Sequence, residues 1–231
     1  MTEANGTVYA QVREKIRQDI LTGYFKPGSR ITTATLGARY GVSQMPIREA
    51  LQQLQGEGLV TIVPNRGARV REVNEEFIRN IYDIRAALEA MMVRRAVEAC
   101  DSESLDPLRE AEARYAAAVA RQDMDAALEA NRDFHDVTFR LARNPEAVEA
   151  IARHSELLQS LRRRFGYGPE RLAEIVFEHR QLVRAFEQKD VGIAVAVVMG
   201  HCERAKHDLI AQAAFDAPAS RRGRNRTKET T

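Results

Sequence analysis

The chain contains five histidines, and three of them fall where a helix would turn them inward. His179 lies on the stripe Ile175, His179, Leu182, Phe186, and His201 on the stripe Ala194, Val198, His201, Ala205, each at helical spacing among apolar neighbours. Asn131 and His135 are four residues apart, so on a helix they share a face one turn apart. Three imidazoles and one amide oxygen drawn from three helices could converge on a cation. Each histidine could equally be a hydrogen-bonded core residue. Arg85 sits on the stripe Ile78, Ile81, Arg85, Leu88, Met92, and a charge facing a core needs a partner. That partner is either a carboxylate of the same bundle or an anionic effector held in the guanidinium fork. His154 falls inward with Ile151 and Leu158, where it fills the core or lines a pocket. His207 and the run Arg162, Arg163, Arg164 read as solvated surface. No histidine has a Glu three residues before it and no H-E-x-x-H occurs, so the usual di-iron and zinc-hydrolase patterns are absent.

A second set of groups suits contact with nucleic acid. The stretch GVSQMPIREALQQLQGEG, residues 41–58, reads as a short helix with two edges. Ser43 is placed to cap it with its hydroxyl, and Pro46 falls in the first turn, where a missing N–H costs least. Ile47, Ala50, Leu51 and Leu54 form a core stripe, while Gln44, Met45, Arg48, Gln52 and Gln55 lie opposite. Amides and a guanidinium are the groups that read base edges and phosphates in a major groove. A short helix over Thr33–Tyr40 and a glycine turn precede it, the plan of a helix-turn-helix. Two β-prone runs around Pro64-Asn65-Arg66-Gly67 follow as a hairpin, which makes the whole a winged helix-turn-helix.

The elements that position these groups are mostly helices. Residues Tyr9–Thr22 carry Val12, Ile16 and Ile20 at four-residue intervals, with Gly23 as a stop. Arg71-Glu72-Val73 reads as a short linker. Beyond it Asn74 caps a helix that runs to about Cys100, and Asp101–Pro107 interrupts or restarts the helical pattern. A second helix carries Leu108, Ala111, Tyr115 and Val119; a third runs from Asp123 to about Ala142. Asn144-Pro145 opens a fourth, Gly166–Pro169 separates it from a fifth, and Lys189-Asp190 precedes a sixth ending near Phe215. The reading is a mainly α chain: residues 1–73 a winged helix-turn-helix domain, 74–216 an antiparallel six-helix bundle, and 217–231 a basic disordered tail.

Charge follows the same division. Residues 1–73 hold ten basic and six acidic side chains, residues 74–216 hold 20 and 26, and residues 217–231 hold five and one. The basic end coincides with the helix-turn-helix, so the surface that would meet a duplex attracts it while the acidic body stays clear. Hydrophobic residues at 44% with 29% charged are a globular composition over 231 residues. No apolar run approaches the ~20 residues that span a bilayer, and MTEANGTVYAQ lacks a secretory core, which places the protein in the cytoplasm and away from membranes. Cys100 and Cys202 have no C-x-x-C partner and read as buried thiols.

PGSRI, LGARYGVSQMPIREALQQLQGEGLV and PNRGARV resemble the DNA-binding domain of GntR-family transcription regulators over residues 8–72. The resemblance implies that Ser43, Gln44, Met45 and Arg48 contact DNA and that Asn65, Arg66 and Gly67 reach the adjacent minor groove. The family usually has Arg-Thr where Gln44-Met45 stand, and an acidic residue followed by Arg or another polar group near Thr33-Ala34, differences that bear on the operator sequence. NRDFH at 131–135, ARNP at 142–145, EHRQLVRAF at 178–186 and His201 are similar to the helical ligand-binding domain, called FCD, of the FadR subfamily, and six helices fit its VanR-like branch. Many members hold a divalent metal with an Asp or Asn and three histidines, implying Asn131, His135, His179 and His201 here and a zinc or nickel ion. The family also tends to have Arg with Glu four later, matching Arg85 and Glu89, and Arg85 is the candidate effector contact. The expectation is a regulator, not an enzyme, that binds double-stranded operator DNA as a homodimer and responds to a small acid. A metal-dependent enzyme and a constitutive DNA binder with a structural metal are the alternatives.

Overall fold

The computed structural model of the chain describes residues 2–64 and 66–213, with side chains from residue 8 onward. The first unit runs α1 (Thr2–Leu21), β1 (Arg30–Ile31), α2 (Thr33–Tyr40), α3 (Gln44–Gly56), β2 (Val60–Val63) and β3 (Gly67–Val70). Helix α1 begins seven residues earlier than the apolar spacing predicts and stops at Gly23, whose φ of 79° ends the helix. Thr32 caps α2 by accepting from the Thr35 amide, and Gly41 closes it in the left-handed conformation (φ 69°), which reverses the chain into α3. Val12, Ile16, Leu36, Ile47, Leu51 and Leu54 are buried between the three helices. Each such side chain contributes about 1.5–3 kcal/mol by leaving water.

The hairpin has a third strand that periodicity did not reveal. Two residues, Arg30 and Ile31, pair antiparallel with β3, so the sheet order is β1-β3-β2 with Arg30 opposite Arg69 and Val63 opposite Gly67. Two residues are too few for alternation to register. Gly67 makes the close approach possible: its φ is 90°, and a Cβ there would fall inside the van der Waals shell of the Ile31 carbonyl.

Six helices follow: α4 (Glu75–Ala99), α5 (Ser102–Ala120), α6 (Met124–Ala142), α7 (Pro145–Phe165), α8 (Arg171–Glu187) and α9 (Val191–Ala213). The side chains of Asn74, Asp101, Asp123 and Asn144 each accept from the backbone amide three residues on, which fixes four of the six starts. The interruption or restart predicted at Asp101–Pro107 is a restart, with the break confined to Cys100 and Asp101. Asp101 caps α5, and the helix continues through Pro107. Helix α4 packs chiefly on α9 and α6, and α5 on α6 and α8. Phe215 and the basic tail fall outside the described residues, as does Asn65.

Although Arg71–Asn74 is a short irregular segment, the two units do not hang from it independently. One continuous core joins Val12, Ile16, Leu36, Leu51 and Leu59 to Ile78, Tyr82, Leu157, Leu161 and Leu209 of the bundle. Arg17 crosses the same seam. Its guanidinium is 2% exposed, donates to both Glu57 oxygens at 2.9 and 2.6 Å, and donates to Glu156 of α7 at 2.6 Å.

Candidate functional site

The residues predicted to read DNA are open to solvent. Ser43, Gln44, Met45 and Arg48 are all exposed at the start of α3, Met45 by 66%, and the buried stripe Ile47, Ala50, Leu51, Leu54 lies opposite. Ser43 occupies the N-cap position, yet its hydroxyl makes no capping bond, contrary to the sequence expectation. The first amides of α3 are thus left without a side-chain cap at an exposed helix start, a position suited to a phosphate. Gln55 leaves the polar stripe as well: its Oε1 accepts from the Ile62 amide at 2.7 Å and ties α3 to β2. Arg66 is exposed at the wing tip beside Gly67, and its carbonyl accepts from Arg30 Nε at 2.6 Å.

That bond brings in a pair which sequence reading missed. Arg30 and Arg69 stand opposite each other on the outer face of the sheet, where like charges repel. Among the described residues, Arg30, Arg48, Arg66 and Arg69 have no ion-pair partner. A concentration of unneutralised guanidinium groups near α3 suits a polyanion.

In the bundle the inward stripes meet. The rings of His135 on α6, His179 on α8 and His201 on α9 have centroids 5.4, 5.8 and 6.0 Å apart. His135 Nε2, both nitrogens of His179 and Asn131 Oδ1 are buried without a hydrogen-bond partner. Orphaned polar atoms cost roughly 1–3 kcal/mol each when left unsatisfied; Asn131 Oδ1 and one nitrogen of each neutral ring have lone pairs that a cation would satisfy. Burial pushes the His135 pKa down to about 4 and that of His179 well below the ordinary value, both helped by the neighbouring His201. Neutral imidazoles are the form that ligates. The donor chemistry fits a divalent ion, although among the described residues no three His, Cys, Asp or Glu donors are drawn in to coordinating distance. Binding would require the rings to close slightly.

Carboxylates stand behind two of the rings. His201 Nδ1 lies 2.6 Å from Glu178 Oε2, and His135 Nδ1 lies 3.6 Å from Glu89 Oε2. Arg85 pairs with Glu89, Nε to Oε1 at 2.5 Å, while still lining the adjoining cavity. The ion-pair reading of Arg85 thus holds and leaves the effector contact available. The cavity, about 110 Å³, is lined by Arg85, Asn131, His135 and His201 together with Tyr82 and Arg162.

Two expectations change here. Arg162 is not solvated surface. Only 4% exposed, it donates to Asp208 and to the Ala205 carbonyl at 2.5 and 2.6 Å and lies over the Tyr167 ring. Its place in a run of three arginines hid this. His154 is outside the cavity; it faces the winged unit, near Gly58 and Phe77. Helix α7 accordingly has two working faces: Ser155, Leu158, Gln159 and Arg162 line the cavity, and His154, Glu156, Leu157 and Leu161 meet or join the winged unit.

Comparison with known proteins agrees in both halves. Residues 8–70 match the bacterial regulatory proteins of the gntR family, and residues 80–204 match the FCD domain. The uncharacterized HTH-type transcriptional regulator YdhC of Bacillus subtilis (strain 168) is 28% identical over 206 residues, 87% of this chain and 92% of that protein. The HTH-type transcriptional repressor GlaR of Escherichia coli (strain K12) is 40% identical over 82 residues, 36% of this chain and 37% of GlaR. Among solved structures, E. coli McbR/YncC has a TM-score of 0.65 at 25% identity, with 88% of this chain and 97% of that one covered.

Proposed function

Since the chain belongs to the gntR family of bacterial regulatory proteins, carries its FCD domain and is a DNA-binding transcription regulator rather than an enzyme, we propose that its operator affinity is set by a small carboxylate bound in the bundle cavity beside a divalent metal. Asn131, His135, His179 and His201 would hold the metal, zinc or nickel by donor type. When bound, the ion supplies a positive centre for an anionic ligand. Arg85 faces the same cavity and offers a second cationic contact. The observation that supports this reading is the pair of buried, unpartnered atoms Asn131 Oδ1 and His135 Nε2 beside the cavity that His201 also lines, with the unpartnered His179 ring centred 6.0 Å from that of His135.

The winged unit is the output. Ser43, Gln44, Met45 and Arg48 enter the major groove and Arg66 and Gly67 the minor groove, with Arg30 and Arg69 on flanking phosphates. A homodimer reads two half-sites, because one winged unit covers few base pairs. Helix α7 transmits: a ligand that prefers one setting of Ser155, Gln159 and Arg162 also selects the setting of Glu156 and Leu157 against the winged unit. A coupling of about 1–3 kcal/mol suffices. The test is elemental analysis of protein purified without chelators, followed by operator binding across a panel of small acids. Bound metal near one equivalent that falls to background in His179→Ala/His201→Ala, and an acid that shifts operator affinity, are the expected results. A metal-free wild type removes the metal, and affinity indifferent to every acid removes the effector.

A further inference from the structure

Glu178 lies one residue before His179 yet points elsewhere. Its carboxylate is 4% exposed and fully engaged: Arg171 donates to both oxygens at 2.7 and 2.9 Å, Arg204 donates to Oε1, and Oε2 lies 2.6 Å from His201 Nδ1. Arg171 is itself 3% exposed. Two buried guanidinium bonds keep a carboxylate ionised, and an ionised carboxylate only accepts. The proton between Glu178 and His201 therefore belongs to the ring. His201 is then Nδ1–H with its lone pair on Nε2, and the residue lines the cavity together with Asn131 and His135. Glu89, anchored by Arg85, repeats the layout behind His135 at the longer distance of 3.6 Å.

We propose that Glu178, fixed by Arg171, is a positioning residue that sets the tautomer and the aim of His201 for a divalent ion. A carboxylate behind a ligating histidine raises the basicity of the ring and orients it. The need is acute here because Asn131 supplies oxygen without charge, leaving a set of four neutral donors. Glu178, its charge shared with Arg171 and Arg204, supplies an acceptor one hydrogen bond behind the His201 ring. The inference rests on the metal reading above, and the two can fail separately.

The test uses the full chain and two readouts. The first is the imidazole ¹⁵N spectrum of chelator-treated protein, which distinguishes Nδ1–H from Nε2–H without any metal. His201 in the wild type is expected as Nδ1–H, and Glu178→Gln is expected to lose that exclusive form. The second is Co²⁺ titration followed by visible absorption: Glu178→Gln should weaken binding by roughly 10–100-fold, and Glu174→Gln, which removes another Arg171 partner without touching His201, should bind within about twofold of wild type. Nε2–H at His201 in the wild type overturns the proposal outright, even if the Gln variant does not fold. Unchanged Co²⁺ affinity in a folded Glu178→Gln variant also overturns it. A wild type with the Nδ1–H ring that takes up no Co²⁺ defeats the metal reading and, with it, the role assigned to Glu178.

Discussion

Replacing Arg17 by Met should destabilise the whole chain, and the size of the effect follows from what its partners lose. The Arg17 side chain is 3% exposed and that of Glu57 9%. Burial alone would depress the Arg17 pKa; the bonds to Glu57, with help from Glu14 and Glu156, more than offset this and hold it above its ordinary value. Methionine fills the space but leaves Glu57 as a buried, uncompensated charge at the end of α3. Breaking a buried pair in this way costs about 3–5 kcal/mol. Glu156 is 50% exposed on its side chain, so Glu156→Gln should cost only about 0–1 kcal/mol. With a urea slope of roughly 3 kcal/mol per molar for a chain of this size, Arg17→Met should lower the midpoint by about 1–1.7 M, and Glu156→Gln by less than about 0.3 M. Adding Glu57→Gln to Arg17→Met should recover part of the loss, because a buried amide is less costly than a buried charge. The assay is far-UV circular dichroism against urea at fixed protein concentration. A shift below about 0.3 M for Arg17→Met would refute the buried-charge argument, and two separate transitions in the wild type would refute the shared core.

Two further outcomes are expected. Arg48→Ala should weaken binding to an operator selected from a random duplex library by roughly 5–150-fold, the value of about 1–3 kcal/mol for one base-directed contact, while the circular dichroism melt is unchanged; gel-shift titration checks this, and wild-type affinity would remove Arg48 from the reading surface. In chelator, stability should fall as pH drops below about 6.5, because His135 and His179 take up protons near that value when unfolded but, owing to burial, only well below it when folded. That stability is present above the unfolded pKa and is lost toward the folded one, by about 1.3 kcal/mol per histidine at pH 5.5. A urea midpoint that is flat between pH 7.5 and 5.5 would contradict the burial of neutral rings.

Much of this was legible in the chain because it was written locally. Caps such as Asn74 and Asn144-Pro145 declare their helices, and helical spacing alone puts His179 and His201 on inward stripes and His135 on one face with Asn131. What escaped depends on partners far away in sequence. β1 is two residues long and exists only because β3 passes beside it. Arg162 looked like one of three surface arginines until Asp208, 46 residues on, claimed it. Ser43 was expected to cap α3 from residue type alone, yet its hydroxyl is left outside the helix. Glu156 and Arg17, 139 residues apart, carry no local sign of their bond.

The continuous core between the winged unit and the bundle bears on how this protein can be rebuilt. A reading head cut at residue 72 and fused to a foreign sensor would arrive with a bare oily footprint where Leu157, Leu161 and Leu209 had covered it, and such grafts tend toward aggregation rather than obedience. If the start of α3 reads the operator as proposed, transplanting specificity means exchanging its few exposed side chains within the intact chain, not swapping modules. Under the proposed function, the same seam would carry the effect of a ligand in the bundle cavity to the winged unit through packed side chains rather than a flexible tether.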